Sequence, residues 1–189
     1  MAQKRKDWNG LISGFKASDL VFLDESGCNT DMTRRYAYSL GGSRAVDSAP
    51  LSKPKNTTIL PSIQLDGTLR YTTFSARTTV ERFKRYLETD LLPHLNGNSV
   101  LIMDDMKSHH AKAVRNLLDS SGVRYIYLPP YSPDLNPIEK LWSTVKSFLS
   151  KFKARTLDAL PNAIQCAFQT VSPSDCSGWF PSCGYSPYF

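Results

Sequence analysis

The sequence predicts an α/β fold in which a mixed central sheet is flanked by helices, and three observations carry that prediction. Short apolar runs bounded by polar residues, VFLDES at Val21–Ser26 and VLIMDD at Val100–Asp105, read as buried strands that end in carboxylates. The run Thr57–Gln64, the turn Leu65-Asp66-Gly67-Thr68 and the run Leu69–Phe74 read as an antiparallel hairpin. Segments with helical periodicity lie between and after these runs. The clearest places Ile138, Leu141, Trp142, Val145, Phe148 and Leu149 on one apolar stripe.

Each element follows in order. Residues 1–19 begin MAQKRKDWNG and are expected to be a linker or truncated extension ahead of one domain spanning 20–189. Only 23 residues precede Asp24, too few for a helix-turn-helix module. After the first strand the chain is polar, and YAYSL (Tyr36–Leu40), followed by Gly41-Gly42, is the candidate for the second strand. Beyond the hairpin, Thr79 caps a helix carrying Phe83, Leu87 and Leu91, which Pro93 ends. Val100–Met103 is the next strand. Ala113, Val114, Leu117 and Leu118 give the following helix a buried side, and Gly122 stops it. Val123–Leu128 reads as a strand, and Pro129, Pro130, Pro133 and Pro137 stiffen the loop after it. Asn136 then stands as N-cap, Pro137 as N1 and Glu139 as N3 of the long helix. A last helix spans Leu157–Val171 with Pro161 in its first turn. The tail SPSDCSGWFPSCGYSPYF, rich in aromatics and turn formers, folds over the core or meets a partner.

Composition narrows the function classes. A chain of 189 residues, 41% hydrophobic, supports one domain with a substantial core. It has no apolar run long enough to span a bilayer and no apolar h-region of a secretory signal, so a cytoplasmic location is expected. The net charge of +6 suits a polyanionic partner, but taken alone it fits an ordinary basic soluble protein better. Cys28, Cys166, Cys176 and Cys183 form no C-x-x-C pair, which argues against zinc and for reduced thiols.

The chemistry rests on acids. Asp24 and Asp104 stand at strand ends, where open α/β sheets present ligands, with 79 residues between them. Glu139 lies 34 intervening residues beyond Asp104, on the shoulder of its helix's apolar stripe. It either returns to the Asn136 backbone N–H as a capping residue or looks toward the strand ends. His109 and His110 follow Asp105 in a loop. Two-metal phosphoryl sites prefer hard oxygen ligands, which favours hydrogen bonding to the loop or to phosphate over metal ligation.

DESG with NTDMTRRY (Asp24–Tyr36), VLIMDD (Val100–Asp105) and LPPYSPDLNPIEKLWSTVK (Leu128–Lys146) resemble the DDE transposases of the mariner superfamily, most closely the bacterial insertion-sequence branch. ALPNAIQCAF and the final FPSCGY resemble that family's last helix and tail. The resemblance implies an RNase H-like fold. It also implies that Asp24, Asp104 and Glu139 are the catalytic residues and hold two Mg²⁺ ions, for which Mn²⁺ can substitute. One departure is Asp105, where the family has Asn. Successive strand residues face opposite sides, so one of Asp104 and Asp105 faces the metals, and spacing favours Asp104.

The implied reaction is cleavage at transposon ends and strand transfer into target DNA, with a homodimer assembled on that DNA. Arg34, Arg35, Arg44, Lys107, Lys140 and Lys146 are candidates for phosphate contact, with a solvated basic face as the alternative. The resemblance implies that the chain is either a fragment or the second reading frame of a split element, joined by frameshifting to an upstream helix-turn-helix product that recognises the ends. Two other readings stand beside this one: a different RNase H-like nuclease, and a DNA-binding remnant without catalysis.

Overall fold

The computed structural model describes residues 2–34, 36–48, 50 and 54–186. Six strands form one sheet: β1 (Leu20–Leu23), β2 (Ser26–Asn29), β3 (Asn56–Gln64), β4 (Leu69–Ser75), β5 (Val100–Met103) and β6 (Arg124–Tyr127). β3 pairs antiparallel with β4 on one edge and with both β1 and β2 on the other. β1 and β2 hold one continuous register against β3, broken only by Asp24 and Glu25. β5 then joins β1 in parallel, and β6 joins β5 in parallel. Three of the pairings are thus antiparallel and two parallel, as expected of a mixed sheet.

The alternation along β1 and β5 divides the core into two layers. Leu20 and Phe22, with Val100 and Ile102, face a layer that includes α4 (Ile138–Phe152), α5 (Leu160–Gln169) and α6 (Pro173–Ser182). Val21 and Leu23, with Leu101 and Met103, face α2 (Val80–Tyr86) and α3 (Lys112–Ser121). Both faces of these strands are covered, which is why all four residues of each are buried and read as solid apolar runs.

The expected helices form. The Thr79 side chain accepts from the Arg82 N–H at 3.3 Å to start α2, which continues through a π-type turn at Leu87–Leu91. Gly122 ends α3 at φ +71°, a conformation open to glycine without steric cost. Pro161 lies in the first turn of α5.

Two segments depart from expectation, and the tail folds over the core as expected but does so as a helix. YAYSL is no strand, and Tyr36, Tyr38 and Leu40 are almost fully exposed. Among the described residues this run pairs with no strand of the sheet. The second strand lies earlier, at Ser26–Asn29. The stretch expected to be a linker contains a helix, α1 (Ala2–Ile12), whose Trp8 is 3% exposed and packs in the layer of α4–α6. The tail forms α6, started by a capping box between Ser172 and Asp175 with Pro173 in the first turn. Phe180 of α6 meets Phe22 edge-to-face at 5.4 Å. Gly67, at φ +87°, turns the β3–β4 hairpin so close to Pro173 that a Cβ would stand 2.7 Å from its Cα. Among the described residues no helix is long and apolar enough to cross a membrane.

Candidate active site

The site lies where the parallel half of the sheet ends. Leu23 and Met103 are register partners on neighbouring parallel strands, so the next residues, Asp24 and Asp104, emerge side by side at one sheet end. Alternation turns both toward the α4 layer, because each follows a residue committed to the opposite face.

Asp24 is held tightly. It is 9% exposed, and its carboxylate accepts three hydrogen bonds. Oδ1 takes the Glu25 main-chain N–H at 2.7 Å. Oδ2 takes the Asn136 Nδ2 at 3.2 Å and the Trp142 Nε1 at 3.4 Å. All three donors are neutral. Burial pushes the carboxyl up to about 7, and the negative charge of Asp104 pushes the same way. The Glu25 N–H pulls it down, Glu139 adds a smaller upward push, and the Trp142 indole a smaller downward one. Hydrogen bonds are therefore outweighed by lost hydration and by like charge.

Asp104 is half-exposed. Its Oδ1 lies 2.7 Å from His109 Nδ1 and accepts weakly from the Met106 N–H at 3.4 Å. Asp105 is engaged elsewhere, with its Oδ1 2.5 Å from His110 Nε2. The charges that act on Asp24 are those of Asp104 and Glu139, not that of Asp105.

Glu139 reaches the site through the start of α4. Asn136 Oδ1 accepts from the Ile138 N–H at 3.3 Å, the N-cap interaction that its position suggests. Pro137 is already helical, at φ −57° and ψ −25°. Ile138, Leu141, Trp142, Val145 and Leu149 are buried, and Glu139 stands exposed beside them. It does not return to the Asn136 N–H, which donates to the Pro133 carbonyl at 3.1 Å. Among the described residues its carboxylate takes no hydrogen bond and no ion pair.

Asp24, Asp104 and Glu139 line one cleft of about 420 Å³, with Asp105, Met106, Asn136 and the proline-rich segment 128–133 forming the rest of its wall. The donor chemistry, hard carboxylate oxygens without thiol or ring nitrogen, fits Mg²⁺ or Mn²⁺. So does the unrelieved repulsion felt by Asp24. Facing one cleft is nonetheless less than a closed ligand set. Among the described residues no three His, Cys, Asp or Glu side chains are gathered to hold an ion as they stand. The shared cleft and the push that Asp104 and Glu139 exert on Asp24 are the stronger indication, because Glu139 is an unanchored side chain on the first turn of its helix.

The basic candidates are spread out. Arg34 and Arg44 are exposed on the segment between β2 and β3, and Arg35 lies outside the described residues. Lys107 is exposed just past the end of β5, and Lys140 is exposed next to Glu139. Lys146 is half-buried with its Nζ 5.6 Å above the Trp142 ring. Sequence reasoning found Asn136 as a cap and Trp142 as core, and missed that both reach back to Asp24. No local signal links residues 112 and 118 positions apart.

Residues 19–161 match the family model of the DDE superfamily endonucleases. The chain is 28% identical over 97 residues to the transposable element Tc1 transposase of Caenorhabditis elegans. That match covers 49% of this chain and 36% of the relative, so it spans about a third of that protein's length. The fold is similar to the catalytic domain of Mos1 mariner transposase, with a TM-score of 0.72 at 15% identity over 96% of this chain and 86% of the other. It is also similar to the Mos1 mariner paired end complex with Mn, with a TM-score of 0.77 at 18% identity over 95% of this chain and 58% of that one. These likenesses establish the RNase H-like fold.

Proposed function

The chain belongs to the DDE superfamily endonucleases, and from that premise we propose that it is the catalytic part of a transposase, cutting DNA at transposon ends and joining the freed strand to target DNA. In the first reaction a water oxygen attacks a phosphodiester phosphorus and the bond to the 3′-oxygen breaks, leaving a 3′-hydroxyl and a 5′-phosphate. In the second, that 3′-hydroxyl attacks a target phosphodiester and displaces its 3′-oxygen. One bond forms and one breaks each time.

Asp24, Asp104 and Glu139 would hold two Mg²⁺ ions, with Mn²⁺ as a substitute, supplying an activated nucleophile and charge stabilisation at the leaving oxygen. The protein's own part is to keep the acids in place. Asn136, Trp142 and the Glu25 N–H fix Asp24 at the cleft floor, and the cap at Asn136 fixes the turn that carries Glu139. Arg34, Arg35, Arg44, Lys107, Lys140 and Lys146 would neutralise DNA phosphates, and two copies would act on a pair of ends. The observation that carries this reading is the convergence of three acids, from β1, β5 and α4, on one cleft.

Nicking of supercoiled DNA carrying the element's ends tests it. Nicking should require Mg²⁺ or Mn²⁺, fall with salt as phosphate contacts are screened, and disappear in Asp104→Ala and Glu139→Ala. Metal-independent nicking, or nicking that survives both substitutions, would sink the reading.

A further inference from the structure

His109 is the most constrained polar side chain near the cleft, and the reaction outlined above does not use it. Its ring is fully buried and stacks on Phe83 of α2 at 4.2 Å between centroids. The Tyr127 hydroxyl donates to its main-chain carbonyl at 3.1 Å, tying the loop after β5 to the end of β6. Nδ1 faces two oxygens, the Asp104 carboxylate Oδ1 at 2.7 Å and the Asp104 carbonyl at 3.2 Å. Both are acceptors, so Nδ1 carries the hydrogen and donates. Nε2 is buried with no partner, which suits a bare ring nitrogen better than an N–H. A ring so enclosed cannot touch DNA or an attacking water. It acts only through Asp104.

We propose that His109 is a positioning residue: by donating to Oδ1 of Asp104 from a ring clamped on Phe83, it fixes that carboxylate and leaves Oδ2 for the metal. The inference rests on Asp104 being a metal ligand. Ligating carboxylates are commonly oriented by such outer hydrogen bonds, and losing one lowers metal affinity by about ten- to a hundredfold.

Two variants separate the donor from the ring. His109→Phe keeps an aromatic ring against Phe83 and removes both nitrogens. His109→Asn keeps a donor near the Nδ1 position and removes the stacked ring. Mn²⁺ affinity is read by electron paramagnetic resonance of free Mn²⁺, and thermal melting is read without metal. His109→Phe should bind Mn²⁺ at least about tenfold more weakly while melting no lower than wild type. His109→Asn should melt lower yet bind Mn²⁺ nearly as wild type does. Wild-type Mn²⁺ affinity in His109→Phe overturns the positioning role, as does an equal loss of affinity in both variants. Wild-type protein that binds no Mn²⁺, or whose binding survives Asp104→Ala, overturns the metal reading of the cleft and this inference with it.

Discussion

Asp24 and Glu139 occupy the same cleft under opposite regimes. Asp24 is buried, accepts three hydrogen bonds and has its pKa raised to about 7. Glu139 is exposed and takes none among the described residues. A site made only of carboxylates like Asp24 would be rigid but heavily penalised by burial. One made only of carboxylates like Glu139 would be comfortable in water and poorly oriented. The two acids have complementary roles, since Asp24 is fixed at the floor and Glu139 approaches from a helix turn that is itself fixed.

Activity should treat the two alike, and stability should tell them apart. Asp24→Ala and Glu139→Ala are each expected to lower DNA nicking by at least about a thousandfold, a loss of about 4 kcal/mol of transition-state stabilisation. An active Asp24→Ala protein would break the comparison at its strongest point.

The pH dependence of folding is the next largest effect. The folded Asp24 carboxyl holds its proton to about 7, whereas the unfolded one releases it near 3.8. The native state thus binds more protons between these values, and metal-free stability is highest below about pH 4 for this group. It should fall as pH rises through 7, by up to about 4 kcal/mol. Denaturant titrations of wild type and Asp24→Asn at pH 5 and pH 8 check this, and the variant should lack most of the slope. Glu139→Gln removes only a smaller upward push on Asp24, so it should keep most of the slope and change stability by less than about 0.5 kcal/mol.

Smaller effects sharpen the account of what frames Asp24. Asn136→Leu removes the α4 cap and one donor to Asp24 together, and should cost about 2 kcal/mol in chemical denaturation. Trp142→Phe keeps most of the buried ring and removes only the longer hydrogen bond at 3.4 Å. Its expected cost is about 1 kcal/mol, with Asp24 titrating slightly higher.

What the sequence revealed of this site was local. Strand ends carry Asp24 and Asp104, and Asn-Pro-x-Glu announces a helix start, so each acid could be placed on its own element. The β3–β4 hairpin, α2 to α5 and the parallel strands were legible for the same reason: period, cap and turn residues lie within a few positions of one another. The failures were questions of pairing and context. YAYSL has strand-like alternation but lies exposed and pairs with no strand among the described residues. Ser26–Asn29 has little β propensity and is a strand because β3 extends past the break at Asp24. α6 hides behind Pro, Ser and Gly, and its Ser172-x-x-Asp175 cap was the signal overlooked. α1 has scattered apolar residues, and Trp8 with the partly buried Ile12 ties it to the core. Likewise, nothing near Asp24 in the chain marks Asn136 or Trp142 as its partners.

Asn136 uses its carboxamide in both directions, the oxygen toward the Ile138 N–H and the nitrogen toward Asp24. Asparagines commonly age into aspartate when the nitrogen of the next peptide attacks the side-chain amide. The next residue is Pro137, whose ring nitrogen bears no hydrogen. The route is closed at the one place where a newly formed acid would sit directly against Asp24, so the residue that starts the helix also protects the site from a slow chemical lesion.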